Sequence, residues 1–310
     1  MWRALMVSLL TAAVWAQQKE SRTYVFDPNG RRVEWSASTQ GAGFSSETIR
    51  DVNGRAVPVE SVEERVLRKE QGLQVTERVI RRYTPDGRPL PPEKVLVETV
   101  TRPDGTITET STVYRGDLNG NLRPAERTHS ETRKSGEQAV TETRVERASL
   151  SGGFTLVEKR AATEVVREAD RSSQREETVY VPDTNGRLVA AQRRVVHTRE
   201  RDGTVEQQTE EYEAATTGAL RLSRQLTSVT RRNPDGSEDT VVDVYGVNAP
   251  GRPIEPGARP ELRERQIYRS TQSPDGSVVT VFAVQRPSLN SSKELGPPEK
   301  VSETVTRVKK

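Results

Sequence analysis

The sequence predicts an all-β protein built as a repeat array of long antiparallel β-hairpins. Of the 310 residues, 38 are Val and 32 are Thr, and β-branched side chains suit a pleated strand better than a helix. Only 32% of the residues are hydrophobic and 30% are charged, with a formal net charge of +3, so a single thick hydrophobic core is excluded. Regularly spaced glycines divide the chain into short elements.

Two interleaved families of turns give the chain a period of 33 residues. The segment Asp51-Val52-Asn53-Gly54-Arg55 recurs in similar form as Asp183-Thr184-Asn185-Gly186-Arg187. Asn-Gly and Asp-Gly tolerate the positive φ that tight hairpin connections require. The first family centres on Gly30, Gly54, Gly87, Gly120, Gly153, Gly186, Gly218 and Gly251, and the second on Gly72, Gly105, Gly136, Gly203, Gly236 and Gly276, with a glycine-free turn expected near Asp170 to Ser172.

Strands of about 10 to 13 residues remain once the turn residues are removed, longer than the usual strand. Seven to eight hairpins then give about 14 to 16 strands. We expect them to form an extended meander sheet, twisted or spiralled, in which each hairpin is stabilised by contacts with its neighbours. A closed toroid or propeller is the alternative, because segment 91–102 recurs as 297–307 and such a match suits ring closure.

Neither face of the predicted strands is cleanly apolar. In 188–198, for example, Val, Ala and Arg occur on both faces. The expected stabilising contacts are ladder hydrogen bonds, Thr–Thr neighbours and Glu–Arg cross-strand pairs. Such faces specify the strand register weakly, so we expect the turns to set the register.

The N-terminus has the three parts of a secretory signal peptide. Arg3 gives the positively charged first region, and an apolar stretch of 12 residues follows from Ala4 to Trp15. Ala16 ends the small-residue cleavage site. The stretch is too short to span a bilayer as a helix. We therefore predict residues 1–16 as a leader and 17–310 as one repeat domain, with a Pro-rich insertion around 249–260. The absence of cysteine favours a bacterial periplasmic or extracellular protein over a disulfide-stapled ectodomain.

A tyrosine precedes many of the first-family turns. It stands six residues before the turn glycine at Tyr24, Tyr114, Tyr180, Tyr212 and Tyr245. The text from Tyr180 to Leu188 resembles the tyrosine–aspartate (YD, or RHS-type) repeats of bacterial surface and toxin proteins. That resemblance implies stacked hairpins in a spiralling sheet with a carrier or adhesive role. Here the period is longer than in that family, and Tyr and Asp are not adjacent.

No pattern in the sequence indicates catalysis. His129 and His197 are the only histidines, and they occupy different positions relative to their turns, which favours solvated strand residues over a metal or catalytic pair. No nucleophile elbow or phosphate loop occurs. Asp-x-Asn-Gly places its glycine too early for a calcium loop. We therefore predict that the protein is not an enzyme and needs no cofactor or metal.

The function predicted from these features is that of an exported scaffold of the cell envelope or extracellular space. The alternative is a polysaccharide-binding module that stacks ligand on a ladder formed by Tyr114, Tyr180, Tyr212 and Tyr245; the competing interpretation is that each ring covers its own turn. Arg and Glu are mixed along every strand, which argues against nucleic acid. The expected partners are proteins or polysaccharides of the cell surface, with self-association through free sheet edges as a further possibility.

Overall fold

The computed structural model describes residues 18–27, 29–116, 121–149, 152–215, 217–246, 260–288 and 291–309. The predicted leader and nearly all of the Pro-rich insertion lie outside these residues. The strands are β1 Gln18–Phe26, β2 Arg32–Gly41, β3 Phe44–Arg50, β4 Ala56–Glu70, β5 Leu73–Arg82, β6 Glu93–Thr101, β7 Ile107–Gly116, β8 Leu122–Ser135, β9 Gln138–Ala148, β10 Phe154–Arg167, β11 Ser172–Pro182, β12 Leu188–Arg201, β13 Thr204–Ala214, β14 Leu220–Arg232, β15 Glu238–Gly246, β16 Glu261–Gln272, β17 Val278–Gln285, β18 Pro287–Ser288, β19 Ser291–Leu295 and β20 Glu299–Lys309.

Eighteen of these strands form one closed antiparallel barrel. Each strand from β1 to β17 pairs with its neighbours in the chain, β20 pairs with β17, and β20 also pairs with β1. The closing register runs from Gln18 opposite Lys309 to Val25 opposite Ser302. The short strands β18 and β19 form a separate hairpin. The all-β prediction is confirmed, but both the extended meander and the toroid or propeller are wrong, because first and last strands join one continuous sheet.

The two turn families lie at opposite ends of the barrel. The end that carries the second-family turns also holds Gln18 and Lys309, and we call it the terminal end; the opposite end is the loop end. Most described turn glycines have positive φ, for example +76° at Gly54. In the glycine-free turn, Arg171 takes this role with φ 48°. Closure also removes the free edges of the main sheet that self-association would have used.

Aspartates hold several turns through hydrogen bonds to the backbone. At the terminal end the Ser237 hydroxyl donates to Asp235 Oδ1 at 2.6 Å and the Ser237 amide donates at 2.9 Å. Ser277 and Asp275 repeat these contacts at 2.6 and 3.0 Å. The serine hydroxyl bond, then the amide bond, lowers the pKa of both carboxyls below the usual range.

Protonation of these turn carboxyls should weaken the barrel. A lowered folded-state pKa contributes stability above the unfolded pKa of about 4, and that stability is lost as the pH falls through the folded pKa. In the double variant Asp235→Asn, Asp275→Asn, an acceptor oxygen remains but the titration is removed. We expect it to be less stable than the wild type at pH 7, with a difference that shrinks as the pH falls below 4, in thermal unfolding followed by circular dichroism. A difference that stays unchanged between pH 7 and pH 3 would contradict this assignment.

A row of β-bulges runs around the barrel near the loop end. Tyr24, Tyr114, Tyr180, Tyr212 and Tyr245 each mark the point where the returning strand contains one extra residue. At Tyr212, for example, the pairing jumps from Glu211–Arg224 to Tyr212–Leu222. Bulges bend a strand and increase its twist. The repeated tyrosine therefore marks a repeated bend, which helps a long sheet curve into a barrel.

The backbone amides identify which face of the sheet lines the interior. Barrel strands tilt in one hand because sheets twist in one hand, and an L-residue fixes its side-chain direction relative to its N–H. Tyr83 directly follows β5, which runs toward the loop end, and donates its N–H back to the Val59 carbonyl, which places its side chain outside. Thr101, on a strand that runs the other way, donates back to Gly72, which places its side chain inside. Alternation along each strand and the pairing register extend this assignment around the barrel.

Candidate functional site

The barrel encloses a wide lumen. Eighteen tilted strands at the usual spacing give a barrel about 35 Å across between opposite backbones. Among the described residues no large side chain is fully buried, and the few buried apolar residues, such as Val195 and Val284, are scattered along the sheet. Barrels of 16 to 18 strands are too wide for side chains to fill. The interior wall is therefore a water-accessible surface.

Paired hydroxyl groups line the lumen in the half nearer the terminal end. Their oxygens lie 2.9–3.0 Å apart across neighbouring strands. Valines on the same face, such as Val97 and Val242, separate these pairs. We call this group the hydroxyl belt; its pairs are Ser21–Thr306, Thr23–Thr304, Ser130–Thr143, Thr132–Thr141, Thr230–Thr240 and Ser270–Thr280.

Charged side chains on the lumen face form ion pairs with one another. Arg82 contacts Glu60 at 3.1 Å and Glu93 at 3.3 Å, and Arg115 contacts Glu93 at 3.0 Å. This is a chain of alternating charges across β4 to β7. Further lumen pairs join Arg78 to Glu64, Arg147 to Glu126, Arg160 to Glu158 and Arg175 to Glu177.

The outer wall carries ion pairs as well. The Glu77 carboxylate contacts both Arg65, at 2.5 Å, and Lys94. Arg265 contacts Asp243 at 2.6 Å. An outward face of this kind differs from the apolar band that surrounds a barrel fully embedded in lipid. The other outward pairs include Arg22 and Arg50 with Glu34, Arg32 with Glu303, Arg81 with Glu63, Arg133 with Glu131, and Arg144 and Lys159 with Glu142.

The tyrosines predicted to form a ligand-stacking ladder lie on the outer wall near the loop end. Tyr114, Tyr180, Tyr212 and Tyr245 all point outward and are half-buried. Tyr24, Tyr83, Phe26 and Phe154 extend this outer collar around the barrel. Cations cover some of the rings: Arg32 lies 3.6 Å from the Tyr24 ring centre, Arg127 4.3 Å from Phe154, Lys300 4.4 Å from Phe26 and Arg193 5.7 Å from Tyr212. That the four tyrosines stack a ligand stays a prediction.

The structure does not bring the two histidines together. His129 on β8 and His197 on β12 are four strands apart on the outer wall, about 19 Å at the usual strand spacing. The Nδ1 of His129 lies 3.1 Å from the Thr110 hydroxyl. His197 borders a shallow outer groove of about 510 Å³ with Arg199, Glu206 and Gln208. Within the described ranges no group of three or more His, Cys, Asp or Glu residues is arranged to hold a metal ion.

Comparison with solved structures places the barrel among porin folds. Mutants of the porin from Rhodopseudomonas blastica align with a TM-score of 0.55 and 8% identity, over 94% of this chain and 98% of theirs. OpdQ of Pseudomonas aeruginosa aligns with a TM-score of 0.50 and 9% identity, over 94% and 96% of the two chains. The fold is that of a porin barrel. The predicted resemblance to tyrosine–aspartate repeats is therefore wrong, although both architectures use consecutive hairpins.

Searches by sequence add no family to this fold assignment. No protein-family model matches the chain, and no curated protein matches it. Within the described residues there is no helix long and apolar enough to cross a membrane. The porin-like barrel also overturns the predicted role as a scaffold and the alternative role as a polysaccharide-binding module.

The lumen is the feature that the sequence analysis missed. The Thr and Ser residues of the hydroxyl belt were visible in the sequence as alternating strand residues, for instance Ser130 with Thr132 and Thr141 with Thr143. The stacked pair Tyr268 and Phe282, with ring centres 4.8 Å apart, also faces the lumen. The tyrosine repeated before the turns was the one sequence signal linked to curvature, because each of these tyrosines lies at a bulge, but it does not indicate which face of the sheet lies inside.

Proposed function

We propose that this protein is a channel of the bacterial outer membrane that lets small polar solutes pass through its lumen. The observation that carries the proposal is the closed 18-strand barrel around a hollow lumen lined by hydroxyls and ion pairs. Porins of the same fold leave an aqueous channel of this width. The predicted signal peptide, which lies outside the described residues, agrees with export to the cell envelope. The proposal includes no catalytic step.

The test is conductance. The chain from residue 17 onward, refolded in detergent and shown to be β-rich by circular dichroism, should produce stable single-channel steps in a planar lipid bilayer. Liposomes that contain it should swell in solutions of small sugars and not in solutions of large dextrans. A folded barrel that gives neither steps nor swelling would overturn the proposal.

A second candidate is a hollow barrel that works in aqueous surroundings of the envelope and encloses a polar solute. The ion-paired outer wall favours it. An Arg or Lys on a lipid-facing position costs about 2–4 kcal/mol at the bilayer midplane, and Arg65, Lys94 and Arg265 all stand on that wall. Liposome flotation separates the candidates: a channel floats with the lipid, whereas an aqueous barrel stays in the dense fraction and remains monodisperse without detergent.

A further inference from the structure

The lumen wall has no excess of one charge sign at its paired positions. The chain Glu60–Arg82–Glu93–Arg115 alternates in sign across four strands, with contacts of 3.0–3.3 Å. Opposite charges this close largely cancel each other's field at distances much larger than their separation, and salt screens what remains beyond the Debye length, about 8 Å at physiological salt. The centre of a lumen formed by 18 strands lies farther than that from the wall. An ion on the axis therefore meets little net potential from these pairs.

The hydroxyl belt adds a neutral surface that exchanges hydrogen bonds in both directions. A hydroxyl can donate one hydrogen bond and accept others, and in each pair, such as Thr230–Thr240, either oxygen can be the donor. A solute that carries its own hydroxyl groups can replace the water hydrogen-bonded to such a wall without leaving a polar group unpaired. Charged groups gain no matching partner there.

We propose that the lumen admits uncharged, hydroxyl-rich solutes and passes small anions and cations equally well. This inference rests on the proposed channel function and names its solute class. The hydroxyl belt supplies the contacts for the neutral solute, and the internally paired Arg and Glu residues leave the wall without a preference for either ion sign.

The experiment measures the ratio of cation to anion permeability from the reversal potential in a potassium chloride gradient, together with liposome swelling. We expect a permeability ratio close to one. The liposomes should swell faster in a solution of a neutral sugar than in a solution of a gluconate salt or a glucosamine salt of similar size. The triple variant Thr230→Asp, Ser270→Asp, Thr304→Asp should raise the ratio about twofold because unpaired carboxylates draw cations into the lumen. The matching Lys variant should lower it.

The matched control carries the same change on the other face. Thr112→Asp, Thr178→Asp, Thr227→Asp places three carboxylates on the outer wall at strand positions of the same type, and we expect it to leave the permeability ratio unchanged. A wild-type channel with strong selectivity for one ion sign would overturn the inference while leaving the channel intact. A shift in the control variant without one in the lumen variants would also overturn it. A folded barrel without conductance would overturn the channel function and the inference together.

Discussion

A chain that ends at Gly296 should fail to form the barrel. The missing β20 makes eight residue pairs with β1 and seven with β17, so its removal leaves β1 and β17 each with one unpaired edge, while each keeps its pairing on the other side. Unpaired edges of this length are templates for association between chains. We expect aggregated β-structure without channel activity. Light scattering, bilayer conductance and the electrophoretic mobility of unheated samples measure the result.

A chain that ends at Val308 is the matched control, because it loses only the pair between Gln18 and Lys309. It should refold and migrate as the full chain does, and its conductance should equal that of the full chain in the same bilayer. Adding a synthetic peptide of residues 297–310 to the shortened chain should restore part of the barrel if edge pairing is the cause of the defect. Normal conductance from the chain that ends at Gly296 would show that closure through β20 is not required.

Gly43→Ala should be the most destabilising of the turn substitutions. Gly43 has φ +69°, and a Cβ built there would lie 2.3 Å from the backbone oxygen of Glu64. The glycine carbonyl also accepts a hydrogen bond from the Glu64 amide at 2.6 Å. The turn between β2 and β3 therefore packs against β4 with no space for a methyl group. We expect a loss of about 2–4 kcal/mol, from the strained φ and the displaced backbone contact together.

Gly54→Ala serves as its control. Gly54 has nearly the same conformation, φ +76°, but a Cβ there would meet nothing within 4 Å. Only the conformational cost of about 1 kcal/mol should then appear. Urea unfolding of both variants, with the free energy of unfolding extrapolated to water, gives the comparison. Equal losses in the free energy of unfolding would mean that the close approach to Glu64 does not contribute. A larger loss for Gly43→Ala would show that it does.

The strands and their connections were predictable because they are local features. Asn-Gly and Asp-Gly turns and the excess of β-branched residues depend on a few adjacent residues each. The turn expected near Asp170 was also predictable, although Arg171, a non-glycine residue, supplies its positive φ of 48°. Strand lengths follow from the spacing between turns. The number of barrel strands, 18, exceeds the expected 14 to 16 because units at both ends of the chain contribute additional paired strands.

Closure and the site were not predictable from the same features. The sheet closes because each strand is shifted along its neighbour and bends at a bulge, and no single turn contains that information. Tyr24 and Tyr245 were recognised as a series but interpreted as covers for their turns, and the extra residue opposite each one was not inferred. Since hydrophobicity does not separate the two faces, the sequence offered no pattern to tell Thr230, which lines the lumen, from Thr227, which faces out.

The contact between the two ends of the chain also affects how the protein folds. The hydroxyls of Ser21 and Thr306 lie 2.9 Å apart although 285 residues separate them. Nearly every other strand contact joins neighbouring hairpins, which can form early with a small loss of chain entropy. Contacts between distant residues slow folding because that entropy is lost before they form. Hairpins should therefore assemble quickly, one after another along the chain. The pairing of β1 with β20 should then be the slow step of folding. Until it occurs, the open sheet can aggregate.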